Sequence, residues 1–81
     1  MLVSIEFFGI QRMITKTDSI KMPITGNTAV SDVLKYVRNK YPDLLLDEEI
    51  LLTAVNHEAV SPDRLLRSND TICFIPGIGG G

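Results

Sequence analysis

Apolar and polar residues alternate in two stretches near the beginning of the chain, over 2–7 and 17–24. The inward positions of the first are Val3, Ile5 and Phe7, and those of the second are Ile20, Met22 and Ile24. Alternation with a period of two is typical of strands that bury one face, so the pattern predicts two strands paired as a hairpin. Pro23 lacks a backbone N–H and places the second strand at a sheet edge or at its own terminus.

Phe8 departs from the first pattern, because this large aromatic residue falls on the otherwise polar face. We expect Phe8 either to belong to a contact surface or to lie beneath a loop of its own domain. Residues 9–16 follow neither the helical nor the strand period and are predicted to form a loop. Ile10, Met13 and Ile14 are expected to fold this loop back over the core edge.

The strongest helical pattern covers 30–41, where apolar residues recur at the spacing of one helix face. These residues are Val30, Val33, Leu34, Val37 and Tyr41. We predict a helix with Asn27 or Thr28 as its N-cap and Asp32 in its first turn, where the helix dipole favours a carboxylate. Pro42 should prevent the helix from continuing beyond Tyr41.

After this helix, the sequence predicts an irregular link over 43–49 and then a hairpin. Its two strands are 51–55 and 58–60, with Asn56 and His57 at the turn. Ser61 is expected to cap a single helical turn that begins at Pro62 and ends near residues 65 and 66.

The last predicted strand follows a turn at Asn69 and Asp70 and has Ile72, Phe74 and Pro76 on one face. It leads directly into 77–81, a segment too rich in glycine to pack as core. We therefore expect the strand to lie in mid-sheet as a rigid base for a flexible tail. The predicted fold class is α+β, with one mixed sheet packed on one long helix.

Composition limits what an 81-residue chain of net charge −2 can do. The length predicts one domain, and the scattered Lys and Arg residues disfavour nucleic acid as a partner. No apolar run approaches the roughly 20 residues of a membrane span. The single cysteine, Cys73, excludes an internal disulfide and favours a reducing, cytoplasmic compartment.

Candidate catalytic groups are few. His57 has no clustered Cys or carboxylate partner in the sequence, so we interpret it as a turn residue and predict no metal site. Cys73 could be a sulfur relay, but its place within a strand favours a small packed or interface thiol. No nucleophile, base and orienting group can be assembled, so the carboxylate of Gly81 is the expected functional group.

Several short motifs add to this picture when they are read in the predicted order of elements. They are Phe7-Phe8-Gly9, Thr17-Asp18-Ser19, Ala54-Val55-Asn56, Val60, Asp70, and Phe74-Ile75-Pro76 leading to Gly80-Gly81. With them, the whole chain resembles the ubiquitin-like β-grasp sulfur carriers of the MoaD/ThiS family, particularly its molybdopterin synthase branch. The resemblance implies a β-grasp domain over 1–76 and a flexible Gly-Gly tail over 77–81.

The same resemblance implies a mechanism. An ATP-using enzyme of the ubiquitin-activation type adenylates the carboxylate of Gly81, and sulfur transfer converts it to a thiocarboxylate. The tail, with Gly79, Gly80 and Gly81, then enters the active site of a molybdopterin synthase large subunit, in a heterotetramer. There the sulfur builds the dithiolene of molybdopterin, while this chain binds no cofactor and supplies no catalytic side chain.

Binding of the partner would also need contacts on the folded body. The expected contact residues are Phe8, Ala59, Ile75, Pro76 and Ile78. The family commonly has a second proline where this chain has Gly77, and Gly79 makes a third consecutive glycine, which loosens the expected tail. Two alternatives stay open: a sulfur carrier for thiamine or another pathway, and a ubiquitin-like modifier joined to lysines through Gly81.

Overall fold

The computed structural model describes residues 1–44 and 51–76, and these residues form five strands and two helices. In chain order they are β1 (Leu2–Glu6), α1 (Ile10–Thr15), β2 (Ser19–Pro23), α2 (Val30–Lys40), β3 (Leu51–Val55), β4 (Glu58–Val60) and β5 (Thr71–Pro76). Most of the predicted link over 43–49 and all of the predicted tail over 77–81 lie outside the described residues. The division into a domain and a tail therefore stays a prediction.

The strands form one sheet in the order β2-β1-β5-β3-β4. β1 and β5 run parallel, and the other neighbouring strands run antiparallel, so the sheet is mixed. The predicted hairpin of β1 and β2 is confirmed, and β2, with Pro23 at its end, is an edge strand. β5 lies in the middle of the sheet, as the sequence predicted.

One face of the sheet and the long helix enclose the core. The alternation predicted for β1 is confirmed, because Val3, Ile5 and Phe7 are all almost completely buried. The buried face of α2 consists of Val30, Val33, Leu34 and Val37. Burying an aliphatic side chain of this kind contributes about 1.5–3 kcal/mol relative to leaving it exposed, so this face holds the helix on the sheet.

The start of α2 differs from the prediction. The N-cap is Ala29, and neither Asn27 nor Thr28 caps the helix. The backbone N–H groups of Val30 and Ser31 instead donate to the carbonyls of Arg64 and Pro62, at 3.0 and 2.9 Å. Because a distant segment satisfies these groups, no capping side chain is needed.

Two other features predicted for this helix are confirmed, one at each end. Asp32 lies in the first turn as expected, and its Oδ2 accepts a hydrogen bond from the N–H of Ala29 at 2.9 Å. The helix ends at Lys40, with Tyr41 as its C-cap, which confirms that Pro42 stops it.

The prediction that residues 9–16 form a loop is wrong, because residues Ile10–Thr15 form the short helix α1. Its polar residues Gln11 and Thr15 are the buried ones, four positions apart on one face, while Ile10 and Met13 are exposed. This reversed polarity hides the helix from any search for an apolar stripe. The expectation that Ile10, Met13 and Ile14 fold over the core edge is confirmed only for Ile14, which is partly buried against the core, and is wrong for the other two.

The hairpin of β3 and β4 is confirmed, with Asn56 and His57 at its turn and φ values of 52° and 73°. Positive φ at both central positions is what a type I′ turn requires. The helical turn predicted after Ser61 does not form. Residues 62 and 63 form only a tight turn, in which the N–H of Arg64 donates to the carbonyl of Ser61 at 3.2 Å. The turn does not continue to residues 65 and 66, because Leu65 pairs with Ala29 ahead of α2.

Candidate functional site

The face of the sheet opposite α2 carries three large exposed apolar side chains near the end of β5. Phe8, Leu52 and Ile75 are 52%, 55% and 45% exposed. We call these three residues the outer patch. The alternative that Phe8 lies beneath a loop of its own domain is wrong, and an exposed apolar cluster of this kind is typical of protein contact sites.

Strand register places two members of the outer patch side by side, and the third follows the end of β1. Leu52 and Ile75 are partners in the pairing of β3 with β5. The parallel pairing of β1 with β5 ends at Glu6 and Cys73, and Phe8 and Ile75 each follow two residues beyond that last pair. Phe8 therefore lies just past the end of β1, near the exit of β5 but outside the strand pairing. Leu52 was not among the residues singled out from the sequence, although the period of two along β3, with Thr53 and Val55 buried, could have identified it.

Ala59 is exposed on the same face, on the strand next to that of Leu52. Ala59 is on the edge strand β4 and pairs with Ala54 of β3. The edge strand is two strand spacings, or about 10 Å, from β5. Among the other predicted contact residues, the side chain of Pro76 and the whole of Ile78 lie outside the described part of the chain. Gly79, Gly80 and Gly81 lie outside it as well.

The exit end of β5, which we define as Phe74–Pro76, is held by a side chain that sequence reasoning missed. Gln11 is only 4% exposed, and its Nε2 donates a hydrogen bond of 2.9 Å to the carbonyl of Phe74. Its Oε1 accepts a hydrogen bond from the N–H of Phe8 at 3.2 Å. One buried amide therefore joins the outer patch to the end of β5.

The start of β5 is held by a charged network. The carboxylate of Asp70 accepts hydrogen bonds from the N–H of Arg67 at 2.8 Å, Asn56 Nδ2 at 2.9 Å and Arg64 Nη1 at 3.1 Å. The Oδ1 of Asn56 accepts from the N–H of Thr71 at 3.0 Å. Burial alone would raise the pKa of Asp70, but these hydrogen bonds and the Arg64 charge outweigh it and lower that pKa below its ordinary value.

Cys73 lies on the outer face of β5, half-buried. Burial, and secondarily the charge of Glu6, raise the pKa of its thiol. A raised pKa disfavours the thiolate, which is the nucleophilic form of cysteine. The chemistry of this thiol therefore favours the interpretation of a packed or interface residue over that of a sulfur relay.

The remaining candidate groups lie apart from the outer patch. His57 is at the exposed tip of the hairpin of β3 and β4, and residues 1–44 and 51–76 contain no group of three or more metal-ligating side chains. Within the same residues, neither helix is long and apolar enough to cross a membrane.

A family model described as the ThiS family matches residues 5–81, which covers the outer patch, β5 and the glycines that follow it. The chain belongs to the ThiS family. The family predicted from the sequence motifs is thus confirmed.

A curated relative narrows the relationship within the ThiS family. The molybdopterin synthase sulfur carrier subunit of Dictyostelium discoideum is 33% identical over 64 residues, which are 76% of this chain and 73% of the relative. The predicted relationship to the small subunit of molybdopterin synthase is confirmed, and the name of the relative agrees with the prediction of a carrier subunit that is not the catalytic one.

Solved structures confirm the β-grasp, ubiquitin-like fold of this ThiS-family chain. The small archaeal modifier protein 1 of Methanosarcina acetivorans has a TM-score of 0.78 at 23% identity, covering 99% of this chain and 96% of that one. The complex of subunits 1 and 2 of the molybdopterin-converting factor from Helicobacter pylori includes a chain with a TM-score of 0.66 at 22% identity, with full coverage of both chains.

Proposed function

We propose that this chain carries sulfur as a thiocarboxylate on Gly81 and donates it in the formation of the molybdopterin dithiolene. The observation that carries the proposal is the position of β5. This central strand leads directly toward the glycine-rich segment, and the outer patch lies beside its exit end. The match of the ThiS family through residue 81 and the relationship to a molybdopterin synthase sulfur carrier subunit support it.

Activation is a requirement of the chemistry, because a free carboxylate is a poor acyl donor. In the proposed first step, an enzyme of the ubiquitin-activation type uses ATP: a carboxylate oxygen of Gly81 attacks the α-phosphate, and pyrophosphate leaves. In the second step, a sulfide-level sulfur donor attacks the acyl adenylate, and AMP leaves. The product is a thiocarboxylate, in which one oxygen of the terminal carboxylate has been replaced by sulfur.

The proposed function requires the C-terminus to enter two different active sites, that of the activating enzyme and that of the large subunit. This requirement explains why the last residues are glycines. Gly79, Gly80 and Gly81 have no side chains, so a partner's backbone can approach them closely along a narrow channel. Ordering each such residue on binding costs about 1–2 kcal/mol of conformational entropy. A second contact on the folded body must offset that cost, and we assign this contact to the outer patch.

The proposed partner in sulfur donation is a molybdopterin synthase large subunit, with two copies of each chain in a heterotetramer. The Helicobacter pylori structure, a complex of subunits 1 and 2 of the molybdopterin-converting factor, supports a partner of this kind through the shared fold. In this arrangement the large subunit supplies the catalytic side chains, the present chain supplies the sulfur, and no cofactor is bound to it.

Intact mass spectrometry tests the carrier chemistry. The full chain is incubated with ATP, the activating enzyme and a sulfide donor, and we expect the replacement of one oxygen by sulfur, located at Gly81 by fragmentation. The matched control is deletion of Gly81, which should leave the chain folded and unmodified. An unchanged mass of the intact chain under conditions that modify a known carrier would contradict the proposal.

Binding to the large subunit tests the outer patch. We expect Phe8→Ala to weaken the complex by tenfold or more, about 1.4 kcal/mol, because central aromatic side chains contribute much of the energy of protein interfaces. Leu65→Ala is the matched control, since Leu65 is 54% exposed but lies next to Ala29, away from β5. Equal effects of the two substitutions on binding would contradict the proposal that the outer patch contacts the large subunit.

A ubiquitin-like modifier is the second candidate, favoured by the likeness to small archaeal modifier protein 1. Its product would be an isopeptide bond between Gly81 and a lysine, and this bond resists thiol reagents. A chain that acts only as a sulfur carrier would form no such conjugates. A thiamine-pathway carrier would form the same thiocarboxylate but would not be retained by a molybdopterin synthase large subunit. Mass spectrometry and a pull-down with that subunit therefore separate the three functions.

A further inference from the structure

The exit end of β5 has lost one of its two neighbouring strands. The pairing of β1 with β5 ends at Glu6 and Cys73, whereas β3 remains paired with β5 as far as Pro76. β1 leaves the sheet because the chain turns at Gly9, whose φ of 55° and ψ of −125° are available to glycine and strained for other residues. From Phe74 onward, one edge of β5 would have no partner for its backbone groups.

Gln11 replaces the missing strand at this edge. On the β1 side of β5, the carbonyl of Asp70 accepts from the N–H of Ser4, and the carbonyl of Phe74 accepts from Gln11 Nε2, both at 2.9 Å. The next residue to face this side is Pro76, which has no N–H to leave unsatisfied. Gln11 therefore completes the last backbone contact on this edge before the chain leaves the sheet.

The same amide also sets the outer patch in register with β5. Its Oε1 binds the N–H of Phe8, and Gln11 is held in α1 by the hydrogen bond of its own N–H to the carbonyl of Phe8 at 3.0 Å. Because Gln11 is almost fully buried, water does not compete freely for either contact. A single side chain thus bridges Phe74 and Phe8 beyond the last pair of β1 and β5.

From this geometry we infer that Gln11 is a positioning residue for the reaction at the C-terminus. It holds the exit end of β5 in a fixed place relative to the outer patch, so that a partner docked on Phe8 receives the following segment at one entry angle. Gln11 touches no reacting atom and acts through Phe74 and Phe8. This inference rests on the proposed function, because it assumes that the segment after Pro76 is delivered to an activating enzyme.

The geometric part is tested on the free protein, without any partner. In Gln11→Ala, we expect hydrogen exchange at the Phe8 amide to accelerate and the NMR order parameters of Phe74 and Ile75 to fall. Gln11→Glu keeps an acceptor for Phe8 but, when ionised, has no donor for Phe74, so it should lower order at Phe74 while leaving Phe8 protected. Unchanged order at Phe74 and Ile75 in both variants would overturn the inference.

The functional part is tested by steady-state kinetics of adenylate formation with the activating enzyme. We expect Gln11→Ala to leave the KM for the carrier within about twofold and to lower kcat by about tenfold, since misplacement of a reacting group far from the chemistry lowers the rate of the bound complex. Asn56→Ala is the matched control, because it removes an amide contact at the opposite end of β5 and should leave both constants unchanged.

The outcomes separate this inference from the proposed function. Equal loss of kcat in Gln11→Ala and Asn56→Ala would show a general effect of stability and would overturn the positioning role. An unchanged kcat in Gln11→Ala, with Phe74 disordered, would overturn it as well. If the wild-type chain forms no adenylate at all, the proposed function fails, and the order parameters alone decide whether Gln11 fixes the exit end.

Discussion

The two ends of β5 are both fastened by a side-chain amide, but the surroundings of the two amides differ. At the start, Asn56 works together with the carboxylate of Asp70 and the guanidinium of Arg64. At the exit end, Gln11 is neutral and joins backbone groups only. The start is therefore a charged network that contributes to folding, whereas the exit end is a neutral contact beside an apolar surface.

This difference suits the tasks of the two ends. A buried carboxylate organises several donors at once and ties the segment before β5 to the hairpin of β3 and β4, but its strength depends on pH. A neutral amide holds its geometry at any pH near neutrality. It also places no charge beside the outer patch, where a charge would have to lose its water when a protein partner binds. Four predictions test this contrast, beginning with the substitution that should destabilise the protein most.

Removal of the carboxylate at the start should have the largest effect. We expect Asp70→Ala to lower the free energy of unfolding by about 2–3 kcal/mol, because it leaves Asn56 and Arg64 without their acceptor, and the partial exposure of Arg64 moderates the loss. Chemical denaturation measures the change. Glu58→Ala, at an exposed carboxylate, is the control and should change stability by less than about 0.5 kcal/mol. A similar loss of stability in both variants would show that the hydrogen-bond network of Asp70 stabilises the fold no more than an exposed carboxylate does.

Removal of each amide should have an intermediate and independent effect. We expect Asn56→Ala and Gln11→Ala each to lower the free energy of unfolding by about 1–2 kcal/mol. Gln11→Ala leaves the carbonyl of Phe74 without its buried donor, whereas Asn56→Ala removes a donor to Asp70 and places alanine at a φ of 52°. The two sites are about 10 Å apart along β5, so the losses should add to within about 0.5 kcal/mol in the double variant. A larger coupling energy would show that the two ends of the strand form one unit.

The pH dependence of stability should differ between the two ends. The folded-state pKa of Asp70 is lowered, so its contribution is complete above the unfolded pKa and is lost as pH falls through the folded value. Below about pH 4, the stability of the wild-type chain should therefore fall more steeply than that of Asp70→Asn. Gln11→Ala should keep the wild-type slope. Parallel slopes for the wild type and Asp70→Asn, measured by denaturation across acidic pH, would contradict the role given to Asp70.

The smallest effect is expected at the hairpin turn that supports the start of β5. His57 has a φ of 73°, in a region that costs a side chain more than it costs glycine. His57→Gly should raise the free energy of unfolding by about 0.5 kcal/mol, because relief of this strain exceeds the added entropy of glycine in the unfolded chain. Thermal unfolding measures the change, with Glu58→Gly as a control that should be destabilised. A loss of stability in His57→Gly would mean that the imidazole makes a favourable contact.

Several elements of the fold could be predicted because their signals are local. The alternation of Val3, Ile5 and Phe7 required a strand with one buried face, and the spacing from Val30 to Val37 required a helix. Pro42 ended that helix by steric exclusion, and Asn56 indicated a turn with positive φ. Each of these inferences depends on residues within a few positions of one another.

Other elements could not be predicted because they depend on residues distant in sequence. The first N–H groups of α2 donate to the carbonyls of Arg64 and Pro62, so the capping rule that favoured Asn27 or Thr28 did not apply. α1 was missed because its buried face is polar, and Gln11 is buried only because its partner, Phe74, lies 63 residues further along the chain. No local pattern contains that partner.

By itself, the sequence determined the order of strands and long helix, the family, and a last strand that leads into glycines, since periodicity and short motifs are local properties. The tertiary structure alone decided how that last strand is held. Gln11 reaches Phe74 because the chain turns at Gly9, and Leu52 lies beside Ile75 because β3 and β5 pair in register. Contacts of this kind exist only once the sheet has assembled.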